Sequence, residues 1–342
     1  MAALLPPLAV VRAAGVAQGL ADVRAAGTAQ GLTDVGAPPH PSDLYDYGAI
    51  AEDQGALPAT PEELAHAKAT FDRDGLVVFS RGLEASAPAL RAAVDALKDG
   101  SNADFRDALL AQRRARGGAP PDFTNGAKIP WVQYEAGCEV DEPLEPGAAP
   151  GAGDRMRKAM GFAKYSRPIR ERAVEDPRLN SLVRALLGDA DFELYQDMAL
   201  LKPPGGGREK PWHQDAAYFN LAADARVVGC WIALDAATPD NGCLVFERGG
   251  HARGELPHFP VRDYQLCDAE PRRDVVACPL PPGGLVLFHG RVPHGTATNA
   301  SPRPRNALQL HWVASATAAL VPQDAPGGRV ARFGGAARGL AC

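Results

Sequence analysis

The chain has 342 residues, 46% hydrophobic and 23% charged, with a net charge of −5. That is an ordinary globular balance, in a chain long enough to bury a sizeable core. It offers no basic footprint for nucleic acid, and no apolar run reaches the ~18 residues that a membrane span requires.

The N-terminus carries a duplication. Residues 11–22 read VRAAGVAQGLAD and residues 23–34 read VRAAGTAQGLTD. Two copies are too few for a solenoid. The stretch holds Arg12 and no acid before Asp22. Such a start suits either an organellar transit peptide or a disordered Ala/Gly-rich leader. Pro38, Pro39 and Pro41 then resist regular structure. Residues 1–55 are therefore read as a leader, 56–320 as one domain and 321–342 as a flexible tail.

Order begins near Thr60. Thr60-Pro61-Glu62-Glu63 has the form of a capping box with Pro at the first helical position. Leu64, Ala67, Lys68 and Phe71 follow at helical spacing, Asp74-Gly75 closes the helix, and residues 76–79 read as a buried strand. Ser86 is placed to cap a second helix with Leu90, Val94 and Leu97 on one face. Residues 117–121 and 142–153 are rich in Gly, Pro and Ala and read as a loop within one domain. Residues 155–165 and 179–187 look helical, with Gly188 as a stop signal.

The character then changes. Strand-like runs at 192–196, 227–234, 243–246, 285–288 and 307–313 are separated by Gly/Pro-rich turns. Asn241-Gly242 is turn chemistry. Helices followed by short strands predict an α+β, mainly β fold: a sandwich or jelly roll with the early helices outside. Six cysteines (Cys138, Cys230, Cys243, Cys267, Cys278, Cys342) lie scattered without a C-x-x-C pair. They are expected to be free thiols in a reducing compartment, which places the protein inside the cell, in the cytoplasm or an organelle.

The chemistry concentrates in Trp212-His213-Gln214-Asp215, Pro293-His294-Gly295 and Arg305. On an extended segment His213 and Asp215 point the same way, and Gln214 points elsewhere. With His294 from a neighbouring strand they make the two-imidazole, one-carboxylate ligand set of a mononuclear non-haem Fe(II) centre. Arg305 can grip a carboxylate through two parallel hydrogen bonds. His251, His289 and His311 are expected to be structural.

Three stretches carry a resemblance: LLKPPGGGREKPWHQDAAYF (200–219), GCWIALDAATPDNGCLVFERGGH (229–251) and PGGLVLFHGRVPHGTATNASPRPRNALQLHWV (282–313). The chain resembles the phytanoyl-CoA dioxygenase family of Fe(II)/2-oxoglutarate oxygenases, strongly over 156–313, more weakly over 60–83 and not before about Thr60. The resemblance implies a double-stranded β-helix (jelly roll, cupin-like) core with flanking N-terminal helices. It implies His213, Asp215 and His294 as iron ligands and Arg305 as the 2-oxoglutarate anchor. Trp231, Lys158, Met198, Gln214 and Thr296 fall at cosubstrate-lining positions. A solvated charge is the other reading of Lys158, and a core side chain the other reading of Trp231. The implied reaction takes Fe(II), 2-oxoglutarate and O2, releases succinate and CO2, and hydroxylates a small organic substrate: an acyl-CoA, an amino-acid derivative or a secondary metabolite. The carboxylate of Asp215 favours hydroxylation over halogenation. Lys202, Arg208 and Lys210 could meet an anionic substrate, or line a solvated loop. A non-catalytic binding or regulatory jelly roll and a zinc hydrolase are the competing readings. The first leaves the four intact residues unexplained, and the second leaves Arg305 without a role.

Overall fold

The computed structural model describes residues 45–117, 129–134, 156–205, 207–260, 266–268, 270–322, 324–326 and 328–334. The duplication lies outside the described residues, as do the Gly/Pro/Ala-rich segment 142–153 and most of 117–121. The α-helices of five or more residues are α1 (Pro61–Asp74), α2 (Ala87–Lys98), α3 (Ala103–Ala115), α4 (Pro177–Leu186) and a short α5 (Arg329–Phe333). The first six strands are β1 (Ala49–Ile50), β2 (Leu76–Phe79), β3 (Trp131–Tyr134), β4 (Met156–Met160), β5 (Phe192–Lys202) and β6 (Lys210–His213). Next come β7 (Val227–Ala233), β8 (Leu244–Glu247), β9 (Phe259–Pro260) and β10 (Leu266–Cys267). The last four are β11 (Val275–Cys278), β12 (Leu285–His289), β13 (His294–Thr296) and β14 (Arg305–Ala314).

Local signals explain much of this. The Thr60 hydroxyl accepts from Glu63 N–H and the Glu63 carboxylate reaches back to Thr60 N–H, the expected capping box. Gly75 closes α1 at φ 78°, where a Cβ would lie 2.5 Å from His251 Nδ1. Ser86 occupies the N-cap of α2 but makes no side-chain cap bond. The expected helix over 155–165 is instead β4 followed by a single 3₁₀ turn. There the intermittent apolar spacing of Met156, Ala159 and Met160 was outweighed by pairing with β3 and β5.

Two antiparallel-rich sheets result. A seven-stranded sheet runs β2-β12-β7-β14-β5-β4-β3, and a five-stranded one runs β1-β11-β8-β13-β6. Alternation along the strands sorts side chains between two layers. Val77, Phe79, Cys230, Ile232, Leu285, Leu287, Leu308 and Leu310 face the helices. Leu76, Val78, Trp231, Ala233, Val286, Phe288 and Ala307 instead join Val245, Phe246, Val276 and Ala277 of the smaller sheet. The molecule is thus layered as helices, large sheet and small sheet.

Two further expectations meet the structure here. Cys230, Cys243 and Cys278 are free and buried, but Cys267 is disulfide-bonded, so the reading of six free thiols does not hold. Part of the stretch read as a tail is packed: Phe333 is buried against His258, and Arg332 pairs with Glu255. No helix among the described residues is long and apolar enough to cross a membrane.

Candidate metal centre

The predicted ligands come together between the two sheets. Antiparallel pairing of β13 with β6 sets His294 directly opposite His213. Asp215 follows at the start of a 3₁₀ turn. All three are buried, and one ligand atom from each lies within 4.8 Å of the others. Phe288 and Phe246 wall the His294 ring, at 4.9 and 5.5 Å between centroids.

The hydrogen bonds fix the tautomers. Nδ1–H of His213 donates to the Pro211 carbonyl at 2.7 Å, and Nδ1–H of His294 donates to the Val292 carbonyl at 3.0 Å. Both Nε2 atoms are therefore bare lone pairs. They stand 3.2 and 3.7 Å from the Asp215 carboxylate oxygens, which are also lone-pair donors. Three electron-rich groups converging in a desolvated space repel one another unless a cation sits among them. Burial drives the imidazoles down, His213 far and His294 less so, with Lys210 adding to both. For Asp215 burial acts upward, but His294 and His311 overcome it and hold the carboxylate well below its usual range.

The second carboxylate oxygen is held by His311, which the sequence reading took as structural, and by Gln309, which it did not single out. His311 Nε2–H donates to Asp215 Oδ2 at 2.7 Å, and Gln309 Nε2 donates to the same atom at 2.9 Å. Both are buried on β14. The signal was present in their parity: 305, 309 and 311 share one face of a strand whose first residue had already been singled out. His311 is structural in that it ligates no metal, but it acts directly on a ligand. His251 and His289 stay outside the cluster.

Around the triad lies a ring of unanswered donors. Arg305 is buried with its guanidinium 5.3 Å from the Trp231 ring, and its Nε and Nη1 have no hydrogen-bond acceptor. Burial lowers it to about 10. Trp231 Nε1 and Thr296 Oγ1 are likewise buried without partners. Cross-strand register sets Trp231, Gln309, Met198 and Met160 in one row over β7, β14, β5 and β4. Lys158 is two residues from Met160 on the same face of β4. Its ammonium lies 5.9 Å from the Trp131 ring, and burial together with Arg157 lowers it to about 8, against the pull of Asp215. Gln214 is turned away from the triad. Its amide donates to the Gly254 and Arg291 carbonyls and accepts from Leu256 N–H, tying the intervening loops together.

Two antiparallel-rich sheets enclosing two imidazoles, one carboxylate and a buried guanidinium define a mononuclear metalloprotein of oxygenase type. A family model for phytanoyl-CoA dioxygenase (PhyH) matches residues 71–307, and the chain belongs to that family. Phytanoyl-CoA dioxygenase domain-containing protein 1 of Danio rerio is 29% identical over 223 residues, 62% of this chain and 75% of that protein. The Bos taurus protein of the same name is 35% identical over 158 residues, 44% of this chain, and the match spans only about half of that relative, 54%. Among solved structures, EvdO2 from Micromonospora carbonacea var. aurantiaca, complexed with 2-oxoglutarate, superposes with a TM-score of 0.51 at 25% identity. That superposition covers 78% of this chain and 96% of that one.

Proposed function

We propose that this protein is an Fe(II)- and 2-oxoglutarate-dependent dioxygenase that hydroxylates a small organic substrate within a jelly-roll core. The observation that carries the reading is the convergence of three lone-pair donors, His213, His294 and Asp215, beside the orphaned donors of Arg305. Two imidazoles and one carboxylate on one side of an ion leave the other positions open, which is the donor set of this class of iron centre. His213, Asp215 and His294 would hold Fe(II), which when bound would supply the redox chemistry for O2 activation coupled to decarboxylation of 2-oxoglutarate to succinate and CO2.

The chain's own residues arrange the rest. Arg305, desolvated and with Nε and Nη1 lacking acceptors, supplies charge and N–H donors for the distal carboxylate of 2-oxoglutarate. The Thr296 hydroxyl and Trp231 N–H supply further donors, Lys158 supplies charge, and Met198 supplies apolar wall. Gln214 contributes by keeping the backbone between His213 and Asp215 in place. A zinc hydrolase would use the triad but would leave a buried guanidinium without an anion, at a cost of several kcal/mol.

The test is direct. Purified protein given Fe(II) and 2-oxoglutarate should release succinate, and Asp215→Ala should lower that release by more than ~100-fold, beyond what loss of an outer-shell partner costs. Succinate release that is undiminished in the variant, or none from the wild type under any substrate screen, would overturn the reading.

A further inference from the structure

Lys210 lies on β6, three residues before His213 and opposite Thr296. Its ammonium donates to the Tyr218 hydroxyl at 2.5 Å and sits 4.3 Å from that ring's centroid. The Tyr218 ring in turn meets the His213 ring edge-on at 5.5 Å. The phenol oxygen is saturated, because it accepts from Lys210 and from Leu266 N–H at 2.6 Å and donates to the Leu266 carbonyl at 3.3 Å. Tyr218 therefore fixes the ammonium while answering one of its three N–H groups and none of its charge.

Among the described residues neither Lys210 nor Lys158 pairs with a carboxylate. The acid that acts on both is Asp215, whose carboxylate already accepts from His311 and Gln309 and belongs to the cluster with His213 and His294. Burial first, then Lys158, penalises the charged form of Lys210, a penalty that an anion beside it would relieve. Each lysine nonetheless keeps partial exposure. Charge counting sharpens the point. Given the oxygenase reading, on which this step rests, Fe(II), Asp215, Arg305 and the 2-oxoglutarate dianion together sum to zero. Lys158 can assist the cosubstrate, and Lys210 is then left over. A like-charged pair held beside a metal in a desolvated space is costly unless an anion joins it.

We propose that Lys210 is the substrate-recognition residue of this site, and that the substrate presents an oxyanion, a carboxylate or a phosphate, to its two unused N–H groups. Tyr218 positions the ammonium. An arriving oxyanion replaces the missing counter-charge and gains charge-assisted hydrogen bonds, which are about twice as strong as neutral ones.

The experiment uses the full chain, anaerobic, with Fe(II) and 2-oxoglutarate. The visible charge-transfer band of the chelate reports cosubstrate binding. Inorganic phosphate, butyrate and the uncharged butyramide are then titrated calorimetrically, the first two separating phosphate from carboxylate recognition. At least one anion should bind and butyramide should not. Lys210→Gln should weaken that anion by roughly tenfold or more, and Lys210→Arg should largely retain it. The 2-oxoglutarate midpoint should stay within about threefold, since only a remote Coulomb term is lost. Lys210→Met serves if the Gln variant does not fold. Wild-type anion affinity in Lys210→Gln or Lys210→Met, no anion binding to the wild type, or an equal loss of 2-oxoglutarate affinity would overturn the assignment. A wild type that forms no band would instead fail the oxygenase reading itself.

Discussion

His311 shows how much one proton position decides. Its Nε2–H points at Asp215 Oδ2, while its Nδ1 is buried without a partner, so the ring is committed to the Nε2–H tautomer. Together with Gln309 it occupies one carboxylate oxygen, Oδ2, and leaves Oδ1 facing His213. Such outer partners of metal ligands are commonly worth 10–100-fold in metal affinity. Replacing His311 with Phe keeps a ring of similar size against Phe219, which lies 5.0 Å away, and deletes the donor. The expected outcome is a Kd for Fe(II) weakened by roughly 10- to 100-fold with little change in Tm. Calorimetric titration with Fe(II) under anaerobic conditions checks it, and wild-type affinity in the variant would reduce His311 to packing. From sequence alone the three members of the cluster were legible, because H-x-D and a distant His have a recognisable spacing. His311 was not, because a hydrogen bond to a carboxylate 96 positions away leaves no local pattern.

At the level of elements, β14 does most to assemble the site. It pairs with β7 on one side and β5 on the other, in the middle of the large sheet. Its period of two sends Arg305, Gln309 and His311 to the face of the triad and Leu308 and Leu310 toward the helices. Ala307, between Arg305 and Gln309 on the same face, packs in the buried cluster between the two sheets. The helices act further off. Helix α1 packs on β2 and α4 and touches no ligand of the triad. Its capping box is therefore a clean stability device. Thr60→Ala removes an acceptor for Glu63 N–H, and such caps are worth about 1 kcal/mol. In a domain of this size that lowers Tm by roughly 2–4 °C. Metal affinity should not move. Calorimetric melting and the same Fe(II) titration check both halves of the expectation. The cap was legible in four consecutive residues. The strand at Met156–Met160 was not, because its conformation is set by neighbours contributed from residues 131–134 and 192–202.

For the whole molecule, the layering of helices on a large sheet on a small sheet follows from strand alternation, and the run of short strands with Gly/Pro turns foretold it. The stacking order and the packing of residues 328–334 did not show, since both depend on contacts remote in sequence. One such contact ties global stability to the metal loop. His258 donates Nδ1–H to the Leu256 carbonyl at 2.7 Å, and its bare Nε2 accepts the Gln214 N–H at 2.9 Å. Gln214 stands between two metal ligands. Burial first, then Arg272 and Lys210, lowers His258 to about 4, against ~6.5 in the unfolded chain. Between those values the unfolded state binds the extra proton, so stability is lost as pH falls from ~6.5 toward 4. At 1.36 kcal/mol per unit the loss reaches roughly 2 kcal/mol by pH 5. His289, also lowered to about 4 by burial, acts in the same direction. Asp197, raised to about 6 by burial, acts oppositely, because there the folded state holds the proton as pH falls below 6. The total slope therefore mixes signs, and the informative quantity is a difference between proteins. His258→Gln removes one titration and keeps a carbonyl able to accept from Gln214 N–H. The drop in unfolding free energy between pH 7.5 and pH 5 should shrink by about 2 kcal/mol in the variant, read by urea titration at both values. In the wild type, protonated Nε2 sets one N–H against another, and the Gln214 backbone must move. Fe(II) affinity should then fall more steeply with acid in the wild type than in His258→Gln, and parallel curves for the two proteins would break the link between this histidine and the ligand loop.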